Sequence, residues 1–170
     1  MYHRFEENRY PSTNIKINDF KNQINLIKKN DFTFVNPNMF EEELKNKNIK
    51  RKVLLTIDDG FLSFYENAWP ILKNNKIPFI LFVSTKEVGN SNYMNWDQIQ
   101  EVHSYDFAHI GNHSHSHGYL IDKNKEEIEK DLIKSIKILK EKLNHESEFF
   151  SYPFVEYSIE FIKIVKNLNF

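Results

Sequence analysis

The sequence contains no cysteine, so it can form no disulfide and offers no thiolate as nucleophile or metal ligand. Any bound metal must therefore be held by His, Asp or Glu. A membrane-spanning helix needs an apolar run of about 18 residues, and the sequence contains none of that length. The first ten residues, MYHRFEENRY, include no apolar stretch of signal-peptide length. The sequence thus predicts no membrane span and shows no export signal.

The charges of the chain nearly cancel. Its 23 basic and 24 acidic residues give a formal charge of −1, so no net field attracts it to nucleic acid or to anionic lipid. Hydrophobic residues make up 40% of the 170 residues and include 15 Phe, which is enough for a packed core. We therefore expect one folded domain over residues 1–170 and no nucleic-acid partner.

Predicted strands and helices alternate along the chain. Pro70 should kink the second helix or begin a new one there, and Asn18 is predicted to cap the first helix. The alternation favours right-handed βαβ units and a mostly parallel sheet, open or curled into a barrel, with chemistry at the carboxyl ends of strands. The predicted strands are 32–35, 53–57, 79–83, 107–110 and 149–154, and the predicted helices are 18–30, 62–74, 96–103, 125–143 and 158–168.

Two polar clusters follow predicted strands. Asp58 and Asp59 come directly after the strand at 53–57, and three of the seven histidines lie within 113–117. Adjacent carboxylates raise each other's proton affinity unless a cation or a hydrogen-bond donor neutralises them. An isolated Asp-Asp-Gly sequence is usually only a turn, but the nearby histidine cluster favours a metal site.

The spacing of the histidines indicates which of them could share an ion. His113 and His117 are four residues apart, so a helical or turn-like backbone places both imidazoles on one side, with His115 pointing elsewhere. Two His and one carboxylate suit catalytic Zn²⁺, Fe²⁺ or Co²⁺. The alternative is an extended pair, His113 with His115 or His115 with His117, as on the first strand of metal-dependent amidohydrolases. Only His145 follows the cluster, which disfavours that alternative.

The ordered motifs resemble those of a known family. Residues 55–60, LTIDDG, are similar to the T-F-D-D-G motif of polysaccharide deacetylases of the NodB-homology type, carbohydrate esterase family 4. Residues 113–117, HSHSH, are similar to the family's H-[S/T]-x-x-H motif. The stretches 1–4, 67–72, 79–83 and 94–97 also resemble the usual flanking sequence, so the similarity covers nearly the whole chain.

The resemblance implies an α/β fold, a distorted (β/α) barrel, and a hydrolase that removes N-acetyl groups from N-acetylhexosamine units of a polysaccharide or glycan. It implies that Asp59, His113 and His117 hold a divalent metal, with zinc first and cobalt, nickel or iron as alternatives. Asp58 would be the general base that accepts a proton from the attacking water. A carbohydrate is the implied partner. The compartment is undetermined: cytoplasmic by default, with an extracytoplasmic location as the alternative that the family suggests.

A third motif of the family, R-x-P-Y, aligns with residues 151–154, where Ser151 stands in place of the arginine. The resemblance implies that the backbone N–H of Phe154 stabilises the oxyanion, and that Tyr152 and Pro153 lie beside the substrate. Trp69, Trp96, Tyr152 and Phe154 could stack on sugar rings, but each of them taken singly is more readily explained as a core residue.

The family's Leu-x-His motif, whose histidine protonates the leaving amine, has no match after Phe154. We therefore expect a truncated domain, a barrel incomplete at its C-terminal end, and an exposed sheet edge near 149–154. His145 is the only histidine downstream of the 113–117 cluster, and its charged surroundings make it a poor substitute. Two other functions stay open: a carbohydrate-binding relative without turnover, and a deacylase of a non-sugar amide on the same fold.

Overall fold

The structure is a computed structural model that describes residues 1–45 and 51–170. Its helices are α1 (Ile17–Lys29), α2 (Phe40–Lys45), α3 (Trp69–Asn75), α4 (Trp96–His103), α5 (Lys125–Leu143) and α6 (Ile159–Asn167). Its strands are β1 (Arg4–Phe5), β2 (Asn14–Ile15), β3 (Thr33–Phe34), β4 (Lys52–Val53), β5 (Thr56–Ile57), β6 (Phe79–Val83) and β7 (Ala108–Asn112). None of these helices combines the length and apolar character needed to cross a bilayer.

The central sheet has the order β5-β6-β7, and all of its strands are parallel. Every residue of β6 is buried, as expected for a central parallel strand covered on both faces. Single parallel bridges extend the sheet at both sides, from Tyr2 to Ile57 and from Phe150 to Asn112. Among the described residues no strand pairing joins Phe150 to Tyr2, so this parallel array has two edges.

Two apolar clusters hold the helices against the sheet. The larger cluster includes Phe5 and Phe20, whose rings meet edge to face with centroids 5.1 Å apart. The smaller cluster joins α5 to α6 through Leu132, Phe161 and other buried side chains. Burial of each such apolar side chain stabilises the fold by about 1.5–3 kcal/mol. The smaller cluster therefore fixes α5 beside the segment that follows Phe150.

The sequence predicted several elements correctly. The strand at 79–83 and the helices at 96–103 and 125–143 coincide with β6, α4 and α5. Both helices begin with a capping box, at Asn95 for α4 and at Asn124 for α5, which satisfies amide groups of the first turn. The prediction for Pro70 is also confirmed, because Pro70 lies in the first turn of α3, where its missing N–H costs little.

Three predictions need correction. Asn18 lies inside α1, whose N-cap is Lys16 and has no side-chain cap. The strand predicted at 53–57 is interrupted and forms β4 and β5. The strand predicted at 149–154 is reduced to the bridge at Phe150, because Pro153 has no N–H to donate and begins a 3₁₀ turn over Pro153–Val155.

Candidate metal centre and its surroundings

The candidate metal ligands lie at the carboxyl ends of β5 and β7. Asp59 comes two residues after β5, and His113 follows β7 directly. Both strands flank β6 in a parallel sheet, so their ends meet at one edge. His117 comes from the loop that continues from His113. One ligand atom from each of these three residues lies within 4.8 Å of the other two, and this is a cluster that could hold a metal ion.

The geometry of the three side chains suits a cation. Oδ1 of Asp59 lies 2.9 Å from Nε2 of His117 and 3.3 Å from Nε2 of His113. The oxygen is buried, yet neither contact has the geometry of a hydrogen bond. A buried carboxylate oxygen without a hydrogen bond is rare in proteins, and an ion bound to it would provide the explanation. Two imidazole nitrogens and this oxygen are a donor set that can hold a divalent metal.

The electrostatics of Asp59 and His113 reflect their proximity. Burial alone would raise the pKa of Asp59, but the two histidines outweigh burial and hold that pKa well below its usual range. Burial alone would lower the pKa of His113, but the two aspartates raise it on balance. Nδ1 of His113 lies 2.8 Å from the carbonyl oxygen of Ser151, which leaves Nε2 directed at Asp59.

The histidine loop, residues 113–117, has a turn-like and not a helical backbone. This decides between the two backbone conformations that the sequence left open. Ser114 and His117 have φ values of 66° and 50°, and Asp59 has a φ of 75°. Left-handed conformations of residues other than glycine cost about 1–3 kcal/mol each and persist only where neighbouring groups hold them. The loop therefore needs tethers, and α5 supplies them.

The first tether is the carboxylate of Asp131 on α5. It accepts hydrogen bonds from the backbone N–H of His115, at 2.7 Å, and from that of Ser116, at 3.1 Å. A charged acceptor for backbone amides makes a stronger hydrogen bond than a neutral one. Asp131 was not predicted from the sequence as a site residue; it lies on α5 between the buried positions Ile128 and Leu132.

The second tether is a chain of buried polar groups. The amide of Asn112 donates to Oγ of Ser135 on α5, at 2.8 Å. Oδ1 of Asn112 accepts from the N–H of Ser114, and Oγ of Ser114 accepts from the N–H of His117 at 3.0 Å. Each of these bonds fixes one step of the loop, so α5 determines where the ring of His117 lies.

His115 points away from the candidate ligands. Its Nδ1 lies 2.9 Å from Oγ1 of Thr85. Burial and the nearby Lys134 lower the pKa of His115. The structure therefore does not bring His115 into the cluster formed by Asp59, His113 and His117.

Asp58 lies beside this cluster and is 3% exposed. Oδ2 of Asp58 accepts a hydrogen bond from the hydroxyl of Ser151 at 3.2 Å, whereas buried Oδ1 has no hydrogen-bond partner among residues 1–45 and 51–170. Burial raises the pKa of Asp58, although His113 and His3 partly offset it. The bridge between Tyr2 and Ile57 places His3 next to Asp58 on the adjacent strand. Neither the position of His3 nor the contact of Ser151 was predicted from the sequence.

Residues 152–154 lie on the same side of the cluster. Tyr152 lines a cavity of about 540 Å³ together with Asp58, and Pro153 is buried at the start of its turn. The ring of Phe154 is 44% exposed, and its centroid lies 4.9 Å from that of His117. The structure thus brings Phe154 close to the candidate ligands, and places Tyr152 between the cavity and the smaller apolar cluster.

Comparison with known proteins identifies the family. A family model described as polysaccharide deacetylase matches residues 45–170. The chain belongs to the polysaccharide deacetylase family. This deacetylase-family chain is 32% identical over 151 residues to a poly-beta-1,6-N-acetyl-D-glucosamine N-deacetylase of Staphylococcus aureus, covering 79% of this chain and 51% of the relative. The enzyme of the same name from Staphylococcus epidermidis is 26% identical over 162 residues, covering 87% and 56%. The chain therefore spans about half the length of these relatives.

Solved structures agree on the fold. The structure of IcaB from Ammonifex degensii matches with a TM-score of 0.89 and 27% identity, covering 99% of this chain and 78% of that one. The Streptococcus pyogenes deacetylase PplD, solved in complex with acetate, matches with a TM-score of 0.88 at 23% identity, covering 99% and 78%, and supports the fold. The predicted family is confirmed, and so is its α/β fold of the distorted (β/α) barrel type, which in this member of the family is open between the two edges of the parallel array.

Proposed function

We propose that the chain is a metal-dependent hydrolase that removes N-acetyl groups from N-acetylhexosamine units of a polysaccharide. The observation that carries this proposal is the position of Asp58, a buried carboxylate directly beside the cluster of Asp59, His113 and His117. The relatives named as deacetylases of poly-beta-1,6-N-acetyl-D-glucosamine support a polymer of N-acetylglucosamine as the substrate class.

Asp59, His113 and His117 would hold the ion, and two His with one carboxylate favour zinc, with cobalt, nickel or iron as alternatives. An ion bound there supplies a Lewis acid that polarises the acetamide carbonyl and makes a nearby water more acidic. The other tasks belong to side chains and backbone groups of the protein.

Asp58 is the general base in this proposal. Its raised pKa makes it a stronger proton acceptor than an ordinary aspartate. Ser151 binds Oδ2, so Oδ1, which has no hydrogen-bond partner in the described part of the chain, is the oxygen that accepts the proton from the attacking water. The backbone N–H of Phe154, whose ring contacts His117, donates to the oxyanion as the carbonyl becomes tetrahedral.

Tyr152 and Pro153 belong to the substrate side of the site. Tyr152 lines the cavity beside Asp58, so its ring is placed to contact a bound substrate there. Pro153 is buried and acts through the backbone, because its ring restricts the turn that presents Phe154.

The test combines metal analysis with an assay of acetate release from N-acetylglucosamine oligomers. Protein loaded with zinc, cobalt, nickel or iron should release acetate, and Asp58→Asn should lower turnover by about a hundredfold or more. The same variant should retain metal, because Asp58 is not one of the proposed ligands. Unchanged turnover in Asp58→Asn would contradict the role of the base.

Two results would favour the other readings. Oligomer binding without acetate release, at every metal tested, would indicate a carbohydrate-binding relative. Release of acetate from simple acetanilides but not from sugars would indicate a deacylase of non-sugar amides.

A further inference from the structure

Two aromatic side chains stack on each other at the protein surface next to His117. The rings of Tyr119 and Phe154 are nearly parallel, with an angle of 7° and centroids 4.0 Å apart. Tyr119 is 52% exposed and Phe154 is 44% exposed, although large aromatic side chains are usually buried. We call this pair the aromatic platform.

The backbone holds the platform in an outward position at a cost. Phe154 has a φ of 59° and Val155 a φ of 61°, and a left-handed conformation is especially unfavourable for a β-branched residue such as Val155. The neighbouring rings of Phe150 and Tyr152 instead turn inward and pack against Phe161. The turn therefore separates Phe154 from the apolar cluster that its neighbours join.

The platform is continuous with the proposed catalytic site on both sides. The ring of Phe154 lies 4.9 Å from that of His117, one of the candidate ligands. The next residue, Val155, is 67% exposed and lines the cavity that contains Asp58. An occupant that reaches both Asp58 and the platform would therefore lie along the surface formed by Val155 and Phe154, next to His117.

We propose that the aromatic platform is a sugar-binding subsite, which stacks against the pyranose unit next to the one whose acetamide is hydrolysed. This inference rests on the proposed function and adds two residue roles to it. A pyranose has an apolar face of C–H groups and a rim of hydroxyls, so it can cover an aromatic ring while its hydroxyls stay hydrated. A neutral sugar polymer needs no charged side chain to bind it there, and the two stacked rings carry no charge.

The subsite predicts a preference for length. A single N-acetylglucosamine with its acetamide at Asp59 and the two histidines would have its own ring near Phe154 and no second ring to cover Tyr119. An oligomer would contact the platform with its next unit. We therefore expect Tyr119 to affect oligomers and to leave the monosaccharide nearly unaffected.

Binding can be measured without turnover. Two metal-loaded proteins are compared: Asp58→Asn, which is the parent, and the double variant that also carries Tyr119→Ala. Each is titrated with N-acetylglucosamine pentamer and with the monosaccharide, using calorimetry or NMR. Tyr119→Ala should weaken pentamer binding by about threefold to tenfold, as expected for the loss of one aromatic stacking contact. Monosaccharide binding should change by less than about twofold.

Two further variants control for the nature of the change. Tyr119→Phe keeps the ring and should bind the pentamer like the parent protein. Ile133→Ala removes an exposed apolar side chain from α5, 53% exposed, and should have no effect. Because Tyr119 is exposed, all of these variants should have unfolding temperatures close to that of the parent.

The outcomes separate this proposal from the proposed function. If Tyr119→Ala binds the pentamer as tightly as the parent does, the subsite is wrong even if acetate is released. If the wild-type chain releases no acetate but Tyr119→Ala weakens pentamer binding selectively, the subsite stands and the hydrolase proposal fails. If the chain forms a dimer that Tyr119→Ala converts to monomer, the platform binds a second copy of the chain and the sugar proposal is overturned.

Discussion

The hydroxyl of Ser151 donates a 3.2 Å hydrogen bond to Oδ2 of Asp58, although the two residues are 93 positions apart in the chain. The carbonyl oxygen of the same serine lies 2.8 Å from Nδ1 of His113. Ser151 therefore contacts the proposed base through its side chain and a candidate ligand through its backbone. In the aligned family motif this position is an arginine, so a short neutral group takes the place of a long charged one.

Ser151→Ala should impair the proposed base, Asp58, and spare the candidate metal site. We expect kcat/KM to fall by about threefold to tenfold, which corresponds to the loss of one hydrogen bond to a carboxylate. That bond lowers the pKa of Asp58, so its removal raises the pKa further. Because the base must be deprotonated, the acidic limb of the pH–rate profile should move to higher pH. Ser151→Thr, which keeps a hydroxyl, is the matched control, and a profile unchanged in Ser151→Ala would contradict the role.

His117 and His115 provide a comparison within one loop. His117→Ala should weaken zinc or cobalt binding by at least about a hundredfold, because it removes one of the three proposed protein ligands. His115→Ala should change the affinity by less than about threefold, because His115 faces Thr85. Metal titration followed by the visible spectrum of bound cobalt measures both. A larger effect for His115 would support the extended histidine pair considered from the sequence.

Asp131 should act on the metal through the loop. Asp131→Ala leaves the N–H groups of His115 and Ser116 without their acceptor, so we expect metal affinity to fall by about tenfold to a hundredfold. Asp131→Asn keeps one oxygen and should lie between Ala and the wild type. Glu129→Ala removes another carboxylate from α5 and should leave affinity unchanged. Equal losses of unfolding temperature in all three variants, with no change in affinity, would show a purely structural role.

A pair of histidines at the other end of β7 should make stability depend on pH. The rings of His103 and His145 lie 4.7 Å apart, and burial, with His145 and His109 nearby, lowers the pKa of His103. Burial and His145 likewise lower the pKa of His109. The unfolded state then binds more protons, so this contribution to stability is present above about pH 6.5 and is lost as pH falls below it.

The measurement is urea unfolding of metal-free protein at pH 7.5 and at pH 5.5. His103→Gln removes one of the titrating groups and should reduce the pH-dependent part of the free energy of unfolding. Tyr157→Phe, at an exposed position, changes no histidine and should leave the pH dependence of the free energy of unfolding intact. A pH dependence of the free energy of unfolding that is the same in His103→Gln as in the parent protein would refute the expectation.

Local sequence was enough to predict the elements whose pattern is strong. β6 is an uninterrupted apolar run, and α4 and α5 combine helical periodicity with Asn caps, so each of them reflects nearby residues alone. The two family motifs also placed Asp58, Asp59 and the histidine pair together, because each motif directly follows a strand of the same sheet.

Other features depend on contacts that no local pattern reveals. The turn at Pro153 replaced a predicted strand and brought Ser151 to Asp58. The role of Asp131 depends on how α5 crosses the histidine loop, and a charged residue on a helix usually only faces solvent. The outward position of Phe154 depends on a left-handed backbone conformation that phenylalanine disfavours. The conformational preference of the residue therefore does not predict this position.

The left-handed residues around the site also have a consequence for evolution and engineering. Besides Gly60, the set includes the non-glycine residues Asp59, Ser114, His117, Phe154 and Val155. Glycine would adopt these backbone angles without steric cost. Selection for stability alone should therefore favour glycine in place of Val155, which is not assigned a chemical role. A stabilised Val155→Gly protein would also gain backbone freedom beside Phe154. The side chains that make this region strained are thus the ones that keep its shape. Substitutions that raise thermal stability at this turn should therefore lower activity.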